Sequence, residues 1–319
     1  MEIIEEPKIK YNKRFIINKQ QLLSNNNTNY YIHKQLGFGS YSNIYDIIYS
    51  VNGSKTNFMR SSSPRCVKIF KSSDKYTSCG KREISIMKKI NKPNLFVSFF
   101  DSFIHESHFC IISNKFDFNL YEYSKSNILC KKDVKFISKQ ILKGLIYLRQ
   151  NKIIHSDLKP ENILINKKEN VTSCVICDFN LSIDTTRVKC LRFATDITTL
   201  WYRAPEIYLD MNFSYEIDIW AFGCILYELI VGKPLFNPKT TTNNVHDNKL
   251  LYEQHISFIG MCPHEPLENI DPIDFENKIK FDPKIFKTGY QTIFSECIKW
   301  NPTKRFLPED CLRYIRGML

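Results

Sequence analysis

The apolar pattern changes period part-way along the chain, and that change restricts the fold more than any other feature of the sequence. Up to about residue 112, apolar residues come in short β-branched and aromatic runs, at 30–36, 43–49 and 65–70. Runs of that length, punctuated by glycine, asparagine and serine, read as strands. Residues 51–64, with Asn52-Gly53 and a serine run before Pro64, read as a loop. One helix interrupts the strands: Ile84, Met87 and Ile90 recur at three-residue steps within 81–90, and Pro93 ends the pattern. From about Leu120 the period is helical. Residues 133–150 carry Val134, Ile137, Ile141, Leu145 and Leu148 on one face, with Asp133 expected as the N-cap. Residues 217–231 are apolar nearly all round, which predicts a helix buried at the centre of its lobe. A small strand-rich lobe therefore precedes a larger helical one.

Composition narrows the class. The chain has 319 residues, 43% hydrophobic and 24% charged, so it can bury a sizeable core and is not a disordered or fibrous chain. No apolar run reaches the roughly 18 residues that a membrane span needs. The longest, 219–231, carries Glu228. The acidic start, Met1-Glu2-Ile3-Ile4-Glu5-Glu6, lacks the basic region and small-residue cleavage site of a signal peptide. The expectation is a soluble intracellular protein, cytoplasmic or nuclear. Eleven cysteines, an odd number scattered along the chain, argue against a disulfide framework. Cys174 and Cys177 have the spacing of a metal or redox pair, but no second pair exists, and the apolar run around them reads as a strand. A net charge of +12 fits an anionic partner. Because the lysines and arginines are spread along the chain, a solvated basic surface is favoured over a nucleic-acid groove.

Several short constellations carry chemistry. Gly37 and Gly39 lie between two expected strands, where glycine lets backbone N–H groups approach phosphate oxygens. Taken singly this is also a plain hairpin. Cys66-Val67-Lys68 sits in the next strand and Glu83 on the helix after it; a strand lysine held by a helical glutamate can clamp phosphates. The run His155-Ser156-Asp157-Leu158-Lys159-Pro160-Glu161-Asn162 between apolar stretches is far more specific. Its Asp can accept a hydroxyl proton, its Lys can neutralise a transferring phosphoryl group, and its Asn can hold a metal. Asp178, at the end of an apolar strand, offers a carboxylate to a divalent cation.

The order of these groups is that of one family. The glycine turn, Val67-Lys68, Glu83, the 155–162 run and Asp178-Phe179 are followed by Ala204-Pro205-Glu206, Asp218-Ile219-Trp220-Ala221-Phe222-Gly223 and Pro302-Thr303-Lys304-Arg305. The sequence resembles the eukaryotic protein kinases from about residue 30 to 315. The resemblance implies an α+β, bilobal protein-kinase fold: a small antiparallel-sheet N-lobe with one helix and a larger, mainly helical C-lobe. Residues 1–29 would form an N-terminal extension and 30–317 the kinase domain, with the N-lobe at about 30–113, a hinge at about 114–119 and the C-lobe at about 120–317. The implied reaction is transfer of the γ-phosphoryl group of ATP to Ser or Thr hydroxyls of protein substrates. Mg²⁺, or Mn²⁺ in its place, is the implied cofactor; a regulatory subunit is not specified, and neither membrane nor nucleic acid is implied.

The same resemblance assigns roles. Asp157 would be the catalytic base, Lys159 would neutralise the γ-phosphoryl, and Lys68 would bind the α- and β-phosphates while paired with Glu83. Asn162 and Asp178 would hold metal. Gly37 and Gly39 would cover the phosphates. Leu36, Ile44, Cys66 and Leu164 would sandwich adenine, with Asn114 to Phe116 as hinge and Ser113 as gatekeeper. Glu206 and Arg305 would form a structural ion pair, and Asp218 would brace the catalytic loop. Lys159 and Thr199 match the serine/threonine pattern. The 199–206 run, the 218–229 run and Gly232-Lys233-Pro234-Leu235-Phe236 followed by an insert look like the CMGC group (cyclin-dependent, MAP, glycogen-synthase and CLK kinases), and Asp196-Ile197 with the Phe236 to Asp247 spacing looks like its SR-protein-kinase branch. Three positions depart from the family. Ser42 stands for the third loop glycine, and Ser156 for the arginine that couples the catalytic loop to a phosphorylated segment, where Ala194 and Thr195 follow. Asn180 stands for a glycine and is expected to tolerate left-handed backbone there. A catalytically silent scaffold on the same fold is the rival reading; retention of Lys68, Asp157, Asn162 and Asp178 favours catalysis.

Overall fold

A computed structural model describes residues 22–25, 28–51, 64–126, 129–188, 191, 198–241, 244–260 and 288–317. They divide into two compact units: residues up to Asn91 with Val97–Phe116, and Lys92–Phe96 with the residues from Asp117 on.

The first unit is a six-stranded antiparallel sheet with one helix. Its strands are β1 (Leu22–Asn25), β2 (Thr28–Phe38), β3 (Ser42–Val51) and β4 (Arg65–Phe70), followed by α1 (Asp74–Lys89), β5 (Phe99–His105) and β6 (His108–Asn114). The spatial order is β1-β2-β3-β4-β6-β5. Strand β1 lies inside the segment expected as an extension, and its Leu23 is fully buried with Tyr30, Tyr45, Val67, Phe103 and Ile112 on the core face. Residues alternate faces along a strand, so the register fixes what the other face carries. Ile44 opposes Lys68 and Asp46 opposes Cys66 between β3 and β4; Cys66 opposes Ser113 and Lys68 opposes Ile111 between β4 and β6. Helix α1 starts seven residues before the expected Lys81. Ser73 caps it by accepting from the Tyr76 amide, and Asp74 adds charge in the first turn. Residues 74–80 lack a stripe of large aliphatic residues because the buried positions there are Cys79 and Gly80, and a Cβ at Gly80 would collide with the Phe109 ring.

The second unit holds β7 (Phe118–Asn119), α2 (Leu120–Ser126), α3 (Lys131–Gln150), β8 (Ile153–Ile154), β9 (Ile163–Lys167), β10 (Val171–Ile176) and β11 (Ile183–Asp184). Helices α4 (Pro205–Tyr208), α5 (Glu216–Val231), α6 (Asn244–Ile259), α7 (Thr288–Cys297) and α8 (Pro308–Gly317) follow. The apolar 217–231 run forms the buried helix its composition predicts: Ile217, Ile219, Trp220, Phe222, Ile225 and Leu226 are all buried in α5, and Gly232 closes it at φ +76°. Asp133 is not the N-cap of α3. Cys130 takes that place, its sulfur accepting from the Asp133 amide, and the Asp133 carboxylate instead accepts from the Val171 amide at 2.9 Å. No helix among the described residues is long and apolar enough to cross a membrane. Of the loop expected at 51–64, Val51 ends β3 and residues 52–63 lie outside the described residues, as do the first 21 residues and Ala194, Thr195, Asp196 and Ile197.

Candidate active site

In the first unit, strand β4 and helix α1 bring Lys68 and Glu83 together. The Lys68 ammonium donates to both Glu83 carboxylate oxygens, at 3.0 and 2.8 Å. Both side chains are nearly buried, so each charge depends on the other for its solvation. The register puts Ile44, Cys66, Lys68 and Ser113 on one face, and Cys66 Sγ lies 3.3 Å from Ser113 Oγ. Burial pushes the Cys66 thiol up, against the Ser113 hydroxyl's opposing effect. Leu36 is half-buried at a register shift between Gln35 and Gly37, and Ile44 faces Gly37 across the β2–β3 pair. The turn between those strands closes with the Gly39 amide donating to the Ser42 carbonyl at 2.8 Å. A Cβ at Gly37 would meet nothing within 4 Å, so the protein's own packing does not demand glycine there. Beyond β6, the Lys115 amide donates to the Pro64 carbonyl, and Asn114 Oδ1 accepts from the Ser98 amide at 2.7 Å.

In the second unit, two strand pairings staple two loops side by side. The loop 155–162 runs from β8 to β9, and the loop 177–182 runs from β10 to β11. Strands β9 and β10 pair on one side and β8 and β11 on the other. The Cys177 amide donates to the Asn162 carbonyl at 2.9 Å, and a His155 ring nitrogen lies 3.0 Å from the Cys177 carbonyl. Asp157, Lys159, Asn162 and Asp178 are thereby placed in one neighbourhood. Asp157 Oδ1 accepts from the Thr199 amide at 2.9 Å and its hydroxyl at 2.6 Å. Asp157 Oδ2 lies 2.7 Å from the Lys159 ammonium, which also donates to the Thr199 hydroxyl at 2.7 Å. Burial pulls the Lys159 ammonium down, but Asp157, together with Asp178 and Glu161, outweighs it and holds the group above its ordinary value. Asn162 Nδ2 donates to the Asp157 carbonyl at 2.7 Å, which leaves its Oδ1 without a hydrogen bond among the described residues. Leu164, next on β9, is half-buried opposite Val175 and Asn119.

Two backbone positions in these loops are strained. Ser156 has φ +72° and Asp178 has φ +65°, a left-handed region that costs a non-glycine residue about 1–3 kcal/mol. The left-handed residue is Asp178, while Asn180 is buried and its tolerance of that region is not called on. The Asp218 carboxylate holds the first strained residue, accepting from the His155 amide at 2.8 Å and the Ser156 amide at 3.0 Å. Phe179 anchors the second, fully buried against Phe96 and the His155 ring. Further down, Arg305 grips Glu206 through both guanidinium nitrogens, at 2.6 and 2.8 Å, with both side chains fully buried. Sequence reasoning gave no role to Arg203, Glu228 or Tyr202. Arg203 donates to Thr198, and the Tyr202 hydroxyl donates to Glu228 at 2.7 Å. Their signal was their place in the run before Glu206 and in the buried helix.

Among the described residues no group of three His, Cys, Asp or Glu could hold a metal ion. An amide oxygen from Asn162 and a carboxylate from Asp178 suit a hard divalent cation that takes its remaining oxygens from phosphates and water.

Comparison with known proteins points the same way. Residues 30–314 match the family model described as protein kinase domain. The chain is 34% identical over 240 residues to the dual specificity protein kinase YAK1 homolog of Arabidopsis thaliana, covering 72% of this chain and 23% of that protein. It is 25% identical over 339 residues to the serine/threonine-protein kinase prp4 of Schizosaccharomyces pombe, covering 93% of this chain and 68% of that one. With the mitogen-activated protein kinase HOG1 of Kluyveromyces lactis it shares 31% over 250 residues, 73% of this chain and 52% of that protein. The chain thus spans under a quarter of the first of these relatives and about half of the last.

Proposed function

Because the chain belongs to the protein kinase family, with CMGC-type relatives, we propose that it is an active kinase that moves the γ-phosphoryl group of ATP to Ser and Thr hydroxyls of proteins. The observation that carries this reading is the Asp157–Lys159–Thr199 cluster, in which a carboxylate, an ammonium and a hydroxyl meet within 2.6–2.9 Å. Asp157 orients the acceptor hydroxyl and takes its proton as the new O–P bond forms and the bond to the ADP oxygen breaks. Lys159, held charged by its carboxylate neighbours, offsets the charge on the moving phosphoryl group. Asn162 and Asp178 would hold Mg²⁺, which would supply charge neutralisation to the phosphates. Lys68, fixed by Glu83, binds the α- and β-phosphates. Gly37 and Gly39 leave room for them, and Leu36, Ile44, Cys66 and Leu164 with the Asn114–Phe116 backbone receive adenine. The domain limits at 30 and 317, with a hinge near 114–119, belong to this reading. Little covalent chemistry falls to the protein, so positioning and charge supply the acceleration.

The test is incubation with Mg²⁺, γ-labelled ATP and dephosphorylated casein, followed by phosphoamino-acid analysis. Label in phosphoserine or phosphothreonine, abolished by chelating the metal, is expected. A purified wild-type chain that binds ATP and transfers nothing would make it a scaffold.

A further inference from the structure

Hydrogen bonds through Arg203, together with the Thr198–Thr199 peptide, join helix α6 to Asp157. Asn248 on α6 accepts through Oδ1 from Arg203 Nη1 at 2.6 Å. The same guanidinium donates from Nη2 to the Thr198 carbonyl at 2.6 Å and from Nε to the Thr198 hydroxyl at 2.9 Å. Thr198 directly precedes Thr199, whose amide and hydroxyl both donate to Asp157 Oδ1. We infer that Asn248 is a positioning residue for the phosphoryl transfer proposed above, acting through Arg203 and Thr198 on the Thr199–Asp157 contact; the inference rests on that kinase reading.

The geometry makes the link stiff. Arg203 is only 6% exposed, and its planar fork is bonded on three sides. Such a fork has one orientation that satisfies all its acceptors. Helix α6 is itself fastened at several points. The His255 ring lies 2.7 Å from the Tyr208 hydroxyl, Gln254 accepts from the Asn237 amide at 2.9 Å, and Asp247 accepts from the Thr241 amide at 2.8 Å. Asn248 therefore presents its oxygen from a fixed platform. Without that oxygen a buried N–H loses its acceptor, and the guanidinium can turn away from Thr198. A sub-ångström shift of Thr198 would carry Thr199 off Asp157, and misplacement on that scale near a reacting centre is costly in rate.

The full chain is assayed as wild type, Asn248→Ala, Asn248→Asp and Lys249→Ala, the last a control at the adjacent exposed position. Initial rates with Mg·ATP and casein give kcat and KM, and thermal unfolding gives Tm. Asn248→Ala is expected to lower kcat about tenfold with KM for ATP within about twofold. Its Tm should stay within about 2 °C of the control. Asn248→Asp, which keeps an oxygen for Arg203, should recover to within about threefold of wild type. The inference is overturned if Asn248→Ala matches Lys249→Ala in kcat, if Asn248→Asp is as slow as Asn248→Ala, or if the rate falls only with ATP affinity or Tm. Absence of transfer by every protein, wild type included, would instead overturn the kinase reading itself.

Discussion

Each unit contains a buried carboxylate gripped through both oxygens by a cation, and the two pairs are not alike. Lys68–Glu83 is 11% and 4% exposed at its side chains, and it sits on the sheet face beside a glycine turn with open space around Gly37. Arg305–Glu206 is 0% and 0% exposed. Its guanidinium also donates to the Glu216 and Lys299 carbonyls, each at 3.0 Å, and lies 4.9 Å from the centre of the Trp220 ring. The second pair has spent its donors on the protein and can only hold structure together. The first is less tightly sealed, with the Lys68 side chain 11% exposed. The glycines sort the same way: a Cβ at Gly37 would meet nothing within 4 Å, whereas at Gly223 in α5 it would come within 2.8 Å of Cys297 Cβ and 2.9 Å of Ile298 Cδ1. Exposure and the room around the neighbouring glycines distinguish the two pairs.

Breaking the sealed pair should have the largest effect. Arg305→Ala leaves Glu206 buried and unpaired and should cost about 3–5 kcal/mol in denaturant unfolding; a loss under about 1 kcal/mol would erase the contrast between the pairs. Lys68→Met should do the reverse. Phosphoryl transfer should fall on the order of 10²-fold, with a smaller loss of stability than Arg305→Ala in the same unfolding assay. The glycines sharpen the comparison at lower amplitude. Gly223→Ala should destabilise by about 1–3 kcal/mol through overpacking. Gly37→Ala should leave stability within about 0.5 kcal/mol while raising KM for ATP.

A weaker handle than breaking the sealed pair is a pH dependence at its edge. His255 packs against Trp220, and burial, with the nearby Arg305 charge adding to it, holds its imidazole well below the usual range. The folded protein keeps this ring neutral while the unfolded chain protonates it below about pH 6.5. The contribution is therefore fully present above that pH and is lost as pH falls, by at most about 1.4 kcal/mol per pH unit. His255→Phe should flatten that slope in unfolding measured between about pH 6.5 and 5; an unchanged slope would show that the ring is not a source of it.

Much of this was legible in the sequence, for reasons the structure makes plain. Strands β2 to β4 and the helices α3 and α5 were visible because burial imposes period two or an all-round apolar run. The catalytic loop was visible because its polar groups are compressed into eight residues between two apolar strands. What escaped notice depends on contacts without a period. The start of α1 is hidden because its buried positions are the small residues Cys79 and Gly80, not large aliphatic ones. The cap of α3 is a cysteine, a type seldom used for that purpose. The strain sits at Asp178 and not Asn180, in a loop whose ends are fixed by the β8–β11 and β9–β10 pairings. The Arg203–Asn248 bond joins residues 45 apart, and no local pattern marks it.

The central claim is that Asp157 sits at the centre of a working phosphoryl-transfer site. It is tested most directly by comparing wild type and Asp157→Asn for label transfer from γ-labelled ATP to casein. Wild type should transfer, and the variant should bind ATP as well but transfer roughly 10²–10⁴-fold more slowly. Equal rates, or ATP binding without transfer by wild type, would contradict the account.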